Sequence, residues 1–466
     1  MDKKKGSFTG QLGFVLAAAG SAVGLGNIWR FPYLAAKDGG GAFLMVYLIL
    51  VLTFGFAMLT TEIAIGRMTK LSSAKAFEKL APKWKAVGVL ACVVPFMIYP
   101  YYCAIGGWVI KYFVTFITGN GLAAANSKFF GGFITSQWEP VIYMTIFMGM
   151  CAFFIGRGVE SGIEKSARYI MPVLFILIIG ISGFSLTLSY TDAQGVTRTG
   201  LEGFKILTIP DFTGFTLSSW LNLFMDALGQ LFYSISVAMG IMISYGAYVR
   251  DKVNLVSGVN QTEIFDTLVG VLAGVMIIPA VYTFMGLEGM KFAGPGLMFV
   301  ALPKVFASMG ATGTVIGIMF FALVIFAALT SAMSVLEAVV SNIMDIFGAQ
   351  RMNAVVIESV IGFILGLAVC FGYNIFYFEL PLPNGSTAQV LDIMDYISNN
   401  LFMPLVGLGT CVLIGWVLGP EIIINEATKN GETFGRRGLY ITMVKYVAPV
   451  MLFILLLQAT GIMPKF

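Results

Sequence analysis

Long apolar runs separated by short polar stretches set the pattern of the whole chain. A bilayer core roughly 30 Å thick is crossed by about 20 helical residues. Runs of that order lie near 11–36, 41–69, 87–118, 138–156, 166–189, 219–248, 259–286, 312–347, 353–373, 391–419 and 440–462, which predicts eleven transmembrane helices. Several exceed a perpendicular crossing, so tilt is expected. Residues 295–308, between the seventh and eighth runs, read as a loop with a short helix.

Two runs are poor continuous helices. The first carries Gly20-Ser21-Ala22-Val23-Gly24-Leu25-Gly26-Asn27 near its middle, and the sixth carries Ser234-Ile235-Ser236-Val237-Ala238-Met239-Gly240 at similar depth. In hydrocarbon an unwound backbone persists only where something satisfies its polar groups. Matched breaks in two halves of a membrane chain point to a transport site built from discontinuous helices. Freed carbonyls suit a small hard cation, and half-helix N-termini suit a carboxylate. Gly24 to Gly26 therefore read either as a ligand cradle or, since Gly20 and Gly24 form a GxxxG pair, as tight helix packing.

Composition narrows the class. Of 466 residues 58% are hydrophobic and 11% charged, against roughly 25% charged in soluble chains. A soluble enzyme, a disordered chain and a nucleic-acid binder are disfavoured, and a net charge of +4 suggests no polyanionic partner. The absence of histidine excludes His-ligated metals, a Ser-His-Asp triad and an imidazole relay; no nucleophile–base pair suggests an enzyme. The five cysteines fall in apolar runs and read as packing residues. The basic tail, Met1 to Ser7, precedes no cleavage-site pattern, so no removable signal peptide is expected. With the N-terminus inside, eighteen of the 28 Lys and Arg fall on the inner side and seven on the outer. The positive-inside rule then places the N-terminus in the cytoplasm and, with eleven crossings, the C-terminus outside the cell's inner (plasma) membrane.

Ionisable groups within spans are functional candidates. Arg30 lies about one turn outward of Asn27; Glu62, Asp266 and Asp395 lie in the second, seventh and tenth runs. A structural ion pair is the alternative for each. Thr330 and Ser331 are adjacent hydroxyls in the eighth run, which bond either to their own helix or to an ion.

The first-run motif, continued by Trp29-Arg30-Phe31-Pro32-Tyr33 and Gly39-Gly40-Gly41-Ala42-Phe43, resembles the neurotransmitter:sodium symporter family. Gln230-Leu231-Phe232-Tyr233-Ser234, Tyr101-Tyr102 and Ala327-Ala328-Leu329-Thr330-Ser331 extend the resemblance over nearly the whole chain. Eleven spans look like a bacterial subgroup of that family, similar to its leucine, tyrosine and multi-hydrophobic amino-acid transporters. The resemblance implies an all-α membrane protein with an inverted five-plus-five repeat: a tail over 1–10, repeats over 11–189 and 219–419, an extracellular loop over 190–218 and an eleventh helix over 440–462.

It also implies two sodium ions. The first would take the Ala22 carbonyl, Asn27, Ser234 and Asp266; the second, the carbonyls of Gly20, Val23 and Ala327 with the hydroxyls of Thr330 and Ser331. All donors are oxygen, as a hard cation requires. Glycine at position 24, where amine-carrying members have aspartate, leaves room for a substrate carboxylate facing Leu25, Gly26 and Tyr102. Ser21, Ala22, Tyr233 and Ser236 would meet the amino group. Ile98, Tyr233, Ser236, Met239, Ser331 and Val335 would line the side-chain pocket, with Ser234 and Ala238 alongside. Met239 replaces an aromatic residue of some relatives, and Ala238 replaces a common glycine, which shrinks the pocket.

The implied activity is sodium-coupled symport of neutral hydrophobic L-amino acids, aromatic or large aliphatic, by alternating access. Asp266 stands where chloride-dependent members have asparagine, among Tyr47, Gln230, Ser234 and Gly270, so chloride independence is expected. An Asp266 without a cation on the return step makes proton counter-transport a further expectation. Arg30 and Asp395 resemble an outer gate pair, with Tyr102 and Phe232 or Tyr233 as a lid; Lys5 and Asp345, near Tyr248, resemble an inner pair. Lysine replaces the usual arginine at position 5 and Phe8 the usual tryptophan, which loosens that gate. Gly162 and Pro172 match the family's G-x9-P spacing, where glycine and proline permit unwinding. Competing readings are a proton-coupled or sodium-independent carrier on the same fold, and an amino-acid sensor or channel. The expected partners are the amino acid and the bilayer; the sequence leaves oligomeric state open.

Overall fold

The computed structural model describes residues 6–463. Among them, nine helices are long and apolar enough to cross a membrane, and one bent pair brings the number to ten. In chain order the segments are the bent pair Gln11–Ala22 and Gly26–Lys37 (first), Gly41–Thr69 (second), Pro82–Ile117 (third), Glu139–Gly156 (fourth) and Val159–Leu186 (fifth). After the helices Leu217–Ser234 and Ile241–Tyr248 (sixth) come Leu255–Gly289 (seventh), Ala311–Phe347 (eighth), Arg351–Phe371 (ninth), Val390–Val417 (tenth) and Arg437–Ala459 (last).

The sixth segment departs from a simple apolar crossing for a physical reason. Its outer helix carries Asn222, Asp226 and Gln230, and its inner helix has only 8 residues. Both breaks fall where glycine and small polar residues predict them. The first segment bends by 52° between Ala22 and Gly26. In the sixth, Ser236, Ala238 and Gly240 take φ of 56°, 60° and 68°, which ends the helix. The left-handed region costs a residue with a Cβ roughly 1–2 kcal/mol, so Ser236 and Ala238 are held there by their surroundings.

The stretch read as a loop over 190–218 contains a strand pair, Ser189–Thr191 with Thr197–Thr199, and the helix Gly200–Thr208. Residues 294–308 form one short apolar helix. The eighth segment runs along the third at the centre, and most of its residues from Ile316 to Asn342 are buried. Glycine permits the closest contact between the second segment and the inner sixth helix. A Cβ on Gly66 would lie 1.9 Å from the Ile243 carbonyl oxygen, and one on Gly246 would lie 2.2 Å from that of Ile63.

Candidate functional site

The two breaks face each other. Between them lies a cavity of about 30 Å³ lined by Ser21, Ala22, Gly24, Leu25, Gly26, Asn27, Ile98, Tyr102, Tyr233, Ser234, Ser236, Met239, Ser331 and Val335. Every residue expected around a substrate is present except Ala238, and Asn27 is added. Ala238 instead turns its amide to the buried Glu62 carboxylate, which fixes the unwound turn from the second segment. The cavity wall carries no charged side chain.

Its polar end belongs to the first break. Tyr102 Oη accepts a hydrogen bond from the Leu25 amide at 3.4 Å. Gly24 is required by close approach: a Cβ there would lie 2.7 Å from Ser331 Oγ and 3.1 Å from Tyr102 Oη. Ser21 Oγ donates to Ser236 Oγ at 3.1 Å, and Ser236 Oγ lies 3.1 Å from the Ser21 carbonyl oxygen, joining the breaks directly. Ile98, Met239 and Val335 supply the apolar side.

Asn27, Ser234 and Asp266 converge at the outer edge of this site. Asp266 Oδ1 accepts from Ser234 Oγ at 2.7 Å and Asn27 Nδ2 at 2.8 Å, and Oδ2 accepts from Tyr47 Oη at 3.2 Å. Asp266 is fully buried, and among the described residues no Lys or Arg forms an ion pair with it. A buried carboxylate whose hydrogen-bond donors are all neutral suits a small cation, so the first oxygen set fits sodium. Asn27 Oδ1 accepts from the Gly24 amide at 3.0 Å, so the amide's orientation is shared between the break and Asp266. Gln230 Nε2 donates to the Gly26 carbonyl at 3.1 Å, and Gly270 lies beside Phe31 and Asn27.

The second oxygen set gathers where the first break meets the eighth segment. Ser331 Oγ lies 3.0 Å from the Ser21 carbonyl oxygen and 3.1 Å from that of Val23. Thr330 Oγ1 lies 3.1 Å from the carbonyl oxygens of both Phe326 and Ala327, so it bonds to its own helix. Gly20 brings the first segment within 3.4 Å of Thr330 Cβ, measured from a built Cβ. This set is neutral and all oxygen, which fits a hard monovalent cation. Among the described residues there is no group of three or more Cys, Asp or Glu suited to a transition metal.

Above the site, Tyr233 separates the small cavity from a second one of about 160 Å³, lining both. Phe232 lines only the upper one, which makes Tyr233 the partition. The expected outer pair makes no direct ion pair. Asp395 accepts from Tyr101 Oη of the third segment at 3.1 Å and from Asn399 Nδ2, one turn along its own helix, at 2.6 Å, while Arg30 lines the upper cavity.

Below the site, Phe8 is fully buried against Phe14, Tyr245 and Tyr248, with ring centroids 5.7–6.3 Å apart. Lys5 lies outside the described residues. Asp345 accepts the Ser72 amide at 2.7 Å. Tyr248 turns its hydroxyl to Glu337 at 2.6 Å, and Glu337 holds Arg351 through two bonds of 2.6 and 2.8 Å. Near Gly162 the fifth segment begins with a wide turn, Val159–Glu164, and a Cβ on Gly162 would lie 2.0 Å from the Phe154 carbonyl oxygen. Glu164 there accepts the Thr9 amide at 2.8 Å and Arg168 at 2.8 Å.

Sequence reading missed Glu337 and Glu164. Glu337 is a carboxylate inside an apolar run, the signal that singled out Asp266, so the same rule applied throughout would have found it; Glu164 lies between two runs, and only the fold buries it.

Fold and site together define a polytopic membrane carrier with one small central site between two broken helices. The sequence profile of the Sodium:neurotransmitter symporter family matches residues 5–130 and 130–465, and the chain belongs to that family. It is 31% identical to an uncharacterized sodium-dependent transporter of Haemophilus influenzae, over 98% of each chain. It is 30% identical to the sodium-dependent transporter YhdH of Bacillus subtilis, over 99% of each. The human sodium- and chloride-dependent taurine transporter is 24% identical over 89% of this chain and 72% of its own. The crystal structure of MhsT in complex with L-phenylalanine superposes with a TM-score of 0.84 and 33% identity, over 98% of this chain and all of that one. The chain is thus a sodium-dependent membrane transporter.

Proposed function

We propose that this protein is a sodium-coupled symporter of neutral hydrophobic L-amino acids, aromatic or large aliphatic, working by alternating access. The carrying observation is the uncharged cavity at the two breaks, with backbone amides and the Tyr102 hydroxyl at one end and Ile98, Met239 and Val335 at the other. Such a site pairs an α-carboxylate with the Leu25 and Gly26 amides and leaves an apolar side chain beside the thioether, which adapts to varied shapes. MhsT, similar over nearly the whole chain, binds L-phenylalanine in its crystal structure, which supports the same substrate class.

Two sodium ions would be held by the oxygen sets around Asp266 and Ser331. The cation near Asp266 would also neutralise a substrate carboxylate at Leu25, which couples ion and solute. Asp266 already receives Ser234, Asn27 and Tyr47; these neutral donors would otherwise face an anion, so transport is chloride-independent. An Asp266 emptied of its cation takes a proton back, giving proton counter-transport.

The cavity is small, about 30 Å³, so solute entry requires the broken segments to part, with Tyr233 as the outer lid and the Phe8 cluster as the inner plug. We count the sixth pair as a crossing, which gives eleven, an inverted five-plus-five repeat, a cytoplasmic N-terminus and an inner-membrane location.

Uptake of a labelled amino-acid panel into proteoliposomes, under inward sodium or potassium gradients, tests the reading. Sodium-driven accumulation of phenylalanine or leucine is expected. Equal uptake in both salts, or preference for basic or acidic amino acids, refutes it.

A further inference from the structure

The outer ends of the first and sixth segments carry charged groups that neither the central site nor its gates use. Lys37, at the end of the first segment, donates to Asp226 Oδ2 and lies 3.6 Å from Asp38 Oδ1. Asp38 and Asp226 therefore meet on the same ammonium, and both line the same outer cavity. The Asp38 side chain is only 9% exposed, and its Oδ2 is buried with no donor. Two carboxylates thus share one ammonium. Asp226 lines both the cavity above Tyr233 and a neighbouring outer cavity of about 390 Å³, so the cluster faces the entry path.

Two ionised carboxylates gathered on one ammonium repel, and close carboxylate pairs hold a proton between them. Here one proton balances the trio: two carboxylates, one ammonium, one proton. It also supplies the donor that the buried Asp38 oxygen lacks.

We propose that Asp38 and Asp226 form an extracellular proton-binding site that, with Lys37, ties the outer half of the first segment to the outer half of the sixth. Lys37 and Tyr33 face it from its own helix and Asp226 from the sixth; Arg30 lies across the upper cavity. Asp211, in the loop packed on Gly39, turns its carboxylate to the Thr213 amide at 2.9 Å and stays apart. Burial first, then the Asp226 charge, pushes the Asp38 carboxyl up to about 7, so the proton would come and go near neutral external pH. Loss of it leaves a net negative trio and loosens the tie between the two half-helices beside the entry path.

The test is infrared difference spectroscopy of the full-length protein in lipid across a pH titration, which reads protonated carboxyls directly and is independent of the solute carried. A carboxylic C=O band with a midpoint near 7 is expected, absent in Asp38→Asn. Lys37→Gln should raise the midpoint by about one unit, a roughly tenfold gain in proton affinity, because an attractive charge is removed. Asp226→Asn should lower it, because a repulsive charge is removed. These opposite shifts keep the test decisive if Asp38→Asn fails to fold. A band that survives Asp38→Asn, no band titrating near neutrality, or shifts of the same sign in Lys37→Gln and Asp226→Asn overturns the proposal.

Discussion

Gly24→Ala is the sharpest probe of the central site. The new methyl would lie 2.7 Å from Ser331 Oγ, closer than side chains tolerate, and 3.1 Å from Tyr102 Oη. Ser331 is the part that can yield, and turning it away gives up its contacts with the Ser21 and Val23 carbonyls, at 3.0 and 3.1 Å. One hydroxyl proton is shared between these two acceptors, so about one bond is lost, about 0.5–1.5 kcal/mol net, or roughly 2- to 13-fold in an affinity. Val23 and Ser331 belong to the second sodium set, so the loss should fall on sodium. The assay is sodium-dependent binding of labelled L-phenylalanine to purified protein, with the sodium half-saturation as the readout. Ser331→Ala removes the same bonds without a clash and should shift the half-saturation comparably. The double variant should add little to either, since both act through one hydroxyl. A Gly24→Ala protein with sodium half-saturation and phenylalanine affinity within about twofold of wild type refutes the reasoning, as does full additivity.

Four further outcomes are expected. Glu337→Gln strands Arg351 without its buried counter-charge, and breaking such pairs costs about 3–5 kcal/mol; thermal melts should show a large drop, mostly recovered by Glu337→Leu with Arg351→Met. Asp266→Asn removes the fixed charge, so uptake in sodium gluconate should fall and chloride should restore it; equal uptake in both salts counts against the anion argument. Ala238→Gly at φ 60° relieves roughly 1–2 kcal/mol of left-handed strain against about 0.4–1 kcal/mol of added unfolded-chain entropy. Its melting temperature should therefore hold or rise, and a fall would contradict the strain. Finally, the folded protein raises the Asp38 carboxyl from 3.8 to about 7, so folding favours its protonated form. That contribution is present at low pH and is lost as pH rises through about 7, so melts across this range should decline less in Asp38→Asn.

Much of the architecture is legible because a bilayer imposes length and hydrophobicity locally. The breaks announce themselves as glycine and hydroxyl runs inside apolar stretches, and the structure bends or unwinds at both. Oxygen donors in those runs could be named in advance, since Gly20 to Asn27 and Thr330-Ser331 sit in distinctive strings. The sixth segment was harder to read as a crossing from the structure than from the sequence, because the polar residues it brings to the site dilute its own hydropathy. Partner choice was not legible. Asp395 meets Tyr101 and Asn399 with no direct ion pair to Arg30, and Tyr248 meets Glu337, a partner no motif named. A side chain takes whatever donor or acceptor the packing delivers, and motif spacing says nothing about a residue 89 or 294 positions away.

The sequence alone therefore determined what covalent neighbours and the solvent impose: apolar lengths, the places where a helix cannot continue, a first-segment motif and a set of hard oxygen donors. Only the tertiary structure decided which side chains those constraints bring into contact. It made Tyr233 rather than Phe232 the partition between two cavities, kept Thr330 bonded to its own helix and sent Ser331 across to the first break. It also set Asp38 beside Asp226, far along the chain, with a lysine between them. Helix propensity and hydropathy act over a few residues, whereas the approach of two helices is fixed by the shape of everything packed around them.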